Sequence, residues 1–142
     1  MASMTAPATT TSRWRTVGLA FVFLWFFLGG LAHFFYAPLE VRIVPPWIPW
    51  PMAAVYVSGG FELLGAAGLL RPATRRAAGI GLFVLTLAVT PANIYMLQHA
   101  DLFPAAPVWA LWARLPLQVA LLALIVWSTG TRTTPPPARA AG

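Results

Sequence analysis

The sequence contains no cysteine and few charged residues, and both shortages narrow what the protein can be. Without cysteine the chain has no dithiol chemistry, no iron–sulfur ligation and no thiolate metal site, and we expect no metal centre. Charged residues make up only 8% of the 142 residues, whereas hydrophobic residues make up 59%. A soluble core of this size cannot bury that much apolar surface, so the composition predicts a membrane protein.

All nine basic residues are arginine, and together with Glu40, Glu62 and Asp101 they give a formal net charge of +6. The arginines are scattered between apolar segments rather than gathered on one stripe, which argues against nucleic acid as a partner. In a membrane protein, an arginine excess instead indicates the topology.

Four long apolar segments predict an all-α fold, an integral membrane four-helix bundle. We place the transmembrane domain at residues 16–128, with spans at about 16–37, 52–70, 77–98 and 108–128. The flanking segments 1–15 and 129–142 are predicted to be disordered tails, because they are polar or rich in proline. Pro91 lies inside the third span and predicts a kink there.

The segment between the first two spans, residues 38–51, contains five prolines and should not form a regular helix. Because it also carries apolar residues and two tryptophans, Trp47 and Trp50, we interpret it as an ordered cap on the outer end of the bundle. A plain connecting loop is the alternative.

Four spans place both termini on one side, and most of the arginines fall on that side. These are Arg13, Arg15, Arg71, Arg75, Arg76, Arg132 and Arg139. The positive-inside rule therefore predicts both termini on the cytoplasmic side of a bacterial-type plasma membrane.

The second span carries a carboxylate near its middle. Counted from Pro51, Glu62 lies about 16 Å along the helix, close to the midplane of a ~30 Å hydrocarbon core. A charge there must be paired, protonated or facing a wet cavity, so Glu62 is a candidate functional residue. In the fourth span, Arg114 and Gln118 are about 9 and 15 Å deep, which makes a Glu62–Arg114 pair geometrically reasonable.

Polar residues recur at helical spacing in all four spans, and inward-facing stripes would hide them from lipid. Six of them form a candidate site for ligand binding or proton relay: His33, Ser58, Glu62, Asn93, Arg114 and Gln118. Two interpretations stay open. In the first, the Glu62–Arg114 pair and its neighbours only fix the register of the helices. In the second, the residues line a small cavity that either binds a polar head, such as a quinone carbonyl, or relays a proton.

Two chemical roles for His33 are disfavoured. A haem held by His33 and His99 is unexpected, because His99 falls at the membrane interface. Acid–base catalysis by His33 and Glu62 is also unexpected, because their depths, counted along the spans, differ by about 9 Å. We therefore do not expect a stand-alone enzyme.

Short segments resemble the DoxX and DoxX-like family of membrane proteins. They are Gly30-Leu-Ala-His33, Tyr56-Val-Ser-Gly59-Gly-Phe-Glu62, Pro91-Ala-Asn93-Ile-Tyr-Met96 and Arg114-Leu-Pro116-Leu-Gln118. The resemblance covers about residues 16–128. It implies a four-helix membrane bundle linked to respiratory or oxidative-stress redox partners, and in some members to quinone reduction.

From the polar stripes and the resemblance we predict a small accessory subunit that binds a quinone or another amphipathic small molecule. No intrinsic cofactor is expected, so electrons would come from a redox partner protein or a diffusible carrier. Besides the lipid bilayer and that partner, a second copy of the chain is an expected contact. The alternatives are a proton-coupled small transporter and a purely structural or assembly protein.

Overall fold

A computed structural model describes residues 12–130 of the chain. Its α-helices are α1 (Arg13–Phe35), α2 (Ala37–Glu40), α3 (Pro51–Leu69), α4 (Pro72–Ala88), α5 (Thr90–Gln98) and α6 (Val108–Thr129). Short 3-10 helices follow α2 at Val41–Ile43 and α5 at Ala100–Leu102. No strand occurs between residues 12 and 130, so the predicted all-α class is confirmed. Most of the two predicted tails, residues 1–11 and 131–142, lies outside the described residues.

Four helical segments are long and apolar enough to cross a membrane: α1, α3, α4 with α5, and α6. They agree with the four predicted spans, but some bounds differ. The third span begins at Pro72 rather than residue 77, because proline's fixed φ angle suits the first turn of a helix. The first begins at Arg13, inside the predicted tail.

The four long segments pack as a ring. Both α1 and α4 pack against α3 and α6, so α3 and α6 occupy opposite corners of the bundle. The guanidinium of Arg15 donates to the carbonyl oxygen of Trp127 at 2.9 Å and also to that of Gly130. The first turn of α1 therefore lies beside the last turn of α6. We call this end of the bundle the terminal end and the opposite one the capped end.

The packed core occupies the half of the bundle near the terminal end. Its buried residues are Val22, Phe26, Ala66, Leu69, Leu82, Leu121 and Ile125. Small residues let the helices approach closely here, since a Cβ atom added to Gly65 would overlap the side chain of Leu82. This half therefore holds the cluster of buried apolar side chains that joins α1, α3, α4 and α6.

The predicted kink in the third span is present, because α4 ends at Ala88 and α5 restarts at Thr90. Pro91 lies in the first turn of α5, where it cannot continue the hydrogen-bond ladder of α4. Beside this break, the Nε2 of Gln118 in α6 donates to the carbonyl oxygen of Thr86 at 3.1 Å, so a neighbouring helix holds the end of α4. After the kink, α5 packs against α6 and the 3-10 helix at Val41–Ile43.

The cap is residues 36–50. It is ordered, but it begins with the short helix α2, so the prediction of no regular helix over residues 38–51 is wrong at its start. Pro45 is fully buried, and the ring of Trp47 meets that of Tyr95 edge-on at a centroid distance of 6.0 Å. Trp50 has a φ angle of 51°, a left-handed conformation that turns the chain into α3. These contacts fix the cap over the end of the bundle.

Candidate functional site

A cavity of about 750 Å³ lies in the half of the bundle nearer the capped end. The five helices α1, α3, α4, α5 and α6 form its walls, and the cap contributes Glu40, Ile43, Val44, Pro45 and Ile48. All six residues of the predicted site line it: His33, Ser58, Glu62, Asn93, Arg114 and Gln118. Most of the remaining lining is apolar, and the volume falls within the ~300–1,000 Å³ of small-molecule sites.

The first polar cluster is the contact between His33 of α1 and Glu62 of α3, which forms an ion pair when the imidazole is protonated. The Nε2 of His33 lies 3.5 Å from the Oε1 of Glu62, and their side chains are 18% and 13% exposed. Glycines create the space for this pair. A Cβ on Gly59 would lie 2.6 Å from the Cβ of His33, and one on Gly29 would lie 2.7 Å from the Oε2 of Glu62. Two small residues therefore make room for both side chains.

The expected Glu62–Arg114 pair is wrong. Within residues 12–130 the ion-pair partner of Glu62 is His33, and the Nη1 of Arg114 donates to the Sδ of Met96 at 3.2 Å. The reason is the order of the helices, because α3 and α6 stand at opposite corners with α1 and α4 between them. Equal depth in the membrane does not bring two residues together across that diagonal.

The expectation that their depths keep His33 and Glu62 apart is also wrong, since the two side chains are in contact. Counting from the ends of the spans assumes that all helices end at one level. Instead, α1 ends at Phe35, two residues after His33, and the cap continues beside the first turns of α3. Although Glu62 lies eleven residues after Pro51, its carboxylate still reaches the imidazole of His33.

The second polar cluster joins α4, α5 and α6 through Gln118. Its Oε1 accepts a hydrogen bond from the Nδ2 of Asn93 at 2.7 Å. Its Nε2 donates to the hydroxyl of Thr90 at 2.6 Å and to the carbonyl oxygen of Thr86 at 3.1 Å. Gln118 thus ties the kinked third span to the fourth, and the amide of Asn93 keeps a second N–H.

The remaining predicted residues differ in their surroundings. The hydroxyl of Ser58 donates to the carbonyl oxygen of Val55, in its own helix, at 2.9 Å. The Nδ1 of His33 is buried and has no hydrogen-bond partner among residues 12–130. Such an orphaned polar atom is uncommon and costly, which favours a bound polar group close to His33.

The cavity also contains polar residues that the prediction missed. Glu40 enters from the cap, and Thr86 lies on its wall four residues before Thr90. The spacing of the two threonines was the signal for Thr86, whereas nothing in the sequence indicated that Glu40 folds over the bundle. His99 does not line the cavity; its Nδ1 lies 3.0 Å from the carbonyl oxygen of Tyr95. The structure therefore does not bring His33 and His99 to one site.

Comparison with known proteins gives one match. A family model described as a domain of unknown function, DUF8561, matches residues 21–131, which include all six predicted site residues. No curated protein and no solved structure matches the chain. The resemblance to DoxX-like proteins stays a prediction beside this match.

Proposed function

The chain belongs to the DUF8561 family, and we propose that its bundle binds a lipid-soluble small molecule with a polar head, of which a quinone is the leading candidate. The observation that carries this proposal is the cavity of about 750 Å³, which has apolar walls and two separate polar clusters. Concave, mainly apolar sites with a few convergent polar groups are the usual form of small-molecule sites.

The chemistry of the two clusters suits a head with polar atoms at two edges. His33 and Glu62 belong to α1 and α3, whereas Asn93, Arg114 and Gln118 belong to α5 and α6. A quinone has carbonyl oxygens on opposite edges of its ring, which can accept hydrogen bonds from the amide and guanidinium on one side and from His33 on the other. In the reduced molecule the same edges carry hydroxyl groups, which can donate to Glu62.

The walls of the cavity also support access from the bilayer. Val57, Phe61 and Leu117 line the cavity, yet each is 57% exposed at the surface of the bundle. The cavity wall is thus shared with the outer surface of the bundle, and we infer that the cavity opens between helices at a level where a membrane-spanning bundle is surrounded by acyl chains. A ligand can enter sideways, place its polar head at the clusters and leave an apolar tail in the lipid.

We propose the topology and the partner on separate grounds. Arg15 and the arginines of the α3–α4 turn lie at the terminal end, so the positive-inside rule orients that end to the cytoplasm of a bacterial-type plasma membrane.

The chain has no cysteine, so a reaction that reduces the quinone would take its electrons from a redox partner protein or a diffusible carrier. Cross-linking followed by identification of the captured protein tests for that partner.

Calorimetric titration of a short-tailed quinone into the detergent-solubilised protein tests ligand binding. Each of Glu62→Gln and Arg114→Gln should weaken binding by about tenfold or more, since a hydrogen bond to a charged group contributes ~1.5–3 kcal/mol. Asp101→Asn and Arg42→Gln are matched controls, because both side chains are exposed and neither lines the cavity. Unchanged affinity in both cavity variants, with an unchanged helical circular dichroism spectrum, would refute the proposal.

The His33–Glu62 pair also supports a second candidate, a proton-coupled small transporter. Two titratable groups in contact inside a cavity can exchange a proton with a passing substrate. This role requires that uptake into proteoliposomes follow an imposed pH gradient and that Glu62→Gln abolish the dependence. Uptake that ignores the gradient would exclude it. A purely structural or assembly role predicts instead that His33 and Glu62 can be replaced together by matched apolar residues without loss of stability or of phenotype.

A further inference from the structure

A second, smaller crevice of about 310 Å³ opens at the terminal end, between α1, the end of α3 and the start of α4. Its lining residues are Thr16, Leu19, Ala20, Phe23, Leu69, Leu70 and Arg75. We propose that this crevice holds an acyl chain of an anionic phospholipid and that Arg75 binds the lipid phosphate. The inference does not depend on the ligand of the larger cavity.

The shape of the crevice suits an acyl chain. The four α1 residues in its wall are spaced by three, four and seven positions, so they form one continuous face of the helix. From Thr16 to Phe23 this face is about 10 Å long, roughly two-thirds of the ~15 Å hydrocarbon depth of one leaflet. Apart from Thr16 and Arg75 the lining is apolar, and Leu70 is exposed at its edge.

Arg75 is held in a position from which it can bind a phosphate. Its Nε donates to the carbonyl oxygen of Leu69 at 3.0 Å, and the side chain is half-buried. A guanidinium has five N–H donors, and within residues 12–130 the others of Arg75 make no hydrogen bond, so they can engage phosphate oxygens in a bidentate arrangement. Because the bond to Leu69 already fixes the side chain, less conformational entropy is lost when the phosphate binds.

The surroundings favour a membrane lipid over a soluble phosphate. The cation lies at the edge of a crevice whose other walls are apolar, a combination that matches a headgroup joined to a tail. Arg71 precedes α4 and Arg76 lies near its start, so both add positive charge close to Arg75. The N-terminal end of α4 adds a partial positive charge of its own. Basic residues at the cytoplasmic surface attract the anionic lipids of that leaflet.

Native mass spectrometry tests the proposal. The full chain is reconstituted in vesicles of mixed phosphatidylglycerol and phosphatidylcholine, extracted in detergent and scored for lipid that stays bound. We expect the wild type to retain phosphatidylglycerol in preference to phosphatidylcholine. Arg75→Gln should lower this retention about tenfold or more, because it removes the charge-assisted hydrogen bonds from the guanidinium to the lipid phosphate. Arg76→Gln removes the same charge from the next residue, which is exposed and does not line the crevice, and should retain lipid as the wild type does.

A second variant, Ala20→Trp, fills the crevice while Arg75 is kept, and it should also lose the bound lipid. Equal loss in Arg75→Gln and Arg76→Gln would overturn the proposal in favour of diffuse surface charge. Equal retention of the two lipids, or full retention in Ala20→Trp, would overturn it as well. Displacement of the lipid by soluble glycerophosphoglycerol would show a free-phosphate site and would contradict the role given to the acyl chain.

Discussion

Substitution of a single glycine at the contact between α1 and α3 tests the geometry on which the larger cavity depends. In Gly59→Ala the new Cβ would lie 2.6 Å from the Cβ of His33, whereas carbon atoms in contact are normally about 3.5–4.0 Å apart. The two helices must therefore separate by about 1 Å, or His33 must move. Gly60→Ala is a matched control one residue away, because a Cβ there has no neighbour within 4 Å.

The expected magnitude follows from the difference between the two variants. Each gains the same helix propensity, about 0.5–1 kcal/mol for alanine over glycine. Only Gly59→Ala adds the cost of overpacking, about 1–3 kcal/mol. We therefore expect the free energy of unfolding of Gly59→Ala to lie about 1–3 kcal/mol below that of Gly60→Ala. Because the same displacement separates His33 from Glu62, quinone binding should weaken in Gly59→Ala alone.

Unfolding by sodium dodecyl sulfate in mixed micelles, followed by far-ultraviolet circular dichroism, measures the difference between the variants. Calorimetric titration of the short-tailed quinone supplies the second measurement. Equal stabilities of Gly59→Ala and Gly60→Ala would refute the close approach of α1 and α3 at this glycine. If Gly59→Ala were destabilised but bound quinone with unchanged affinity, the contact between α1 and α3 would be supported, whereas its role in positioning His33 would be refuted.

Further predictions concern the second polar cluster, the core and the terminal end. Gln118→Leu should lower the free energy of unfolding by about 1–3 kcal/mol, because it removes the three hydrogen bonds by which Gln118 holds Asn93, Thr90 and the carbonyl oxygen of Thr86. Gln98→Leu, on an exposed site of α5, should change it little. In the same unfolding assay, Leu82→Ala should lower the free energy of unfolding by about 2–5 kcal/mol, because Leu82 is buried in the core. Leu87→Ala, at an exposed site, should lower it by less than about 0.5 kcal/mol. Equal losses would contradict the position of the core. Arg15→Gln removes the donors to the carbonyl oxygens of Trp127 and Gly130 and should therefore speed amide hydrogen exchange in the last turn of α6. Unchanged exchange would show that these hydrogen bonds do not hold the end of that helix.

The sequence was sufficient to predict which side chains turn inward. Glu62, Asn93 and Gln118 lie on stripes that recur at helical spacing, and hydrocarbon leaves such groups no favourable place except the interior of the bundle. The structure places all of them around one cavity. The kink followed equally directly from Pro91, since its ring and missing N–H act locally.

The partners of those side chains did not follow from the sequence, because they depend on how whole helices are arranged. Depth along a span says nothing about which helices are neighbours, so Glu62 was assigned to Arg114 across the diagonal of the bundle instead of to His33 beside it. The sequence also did not predict that α1 ends at Phe35, where the chain turns into the cap. The structure shows how close the two helices come, since a Cβ on Gly30 would lie 3.0 Å from the carbonyl oxygen of Gly59.

The apolar core and the larger cavity lie mainly in different halves of this bundle. Changes in the close-packed half, around Leu82 and Ile125, carry the full cost of a cavity or a clash. Half-exposed positions that shape the other half, such as Ile43 in the cap and Ala92 in α5, can be exchanged at a far smaller thermodynamic cost. Mutational drift can therefore reshape what the protein accommodates while the scaffold that inserts and folds stays the same.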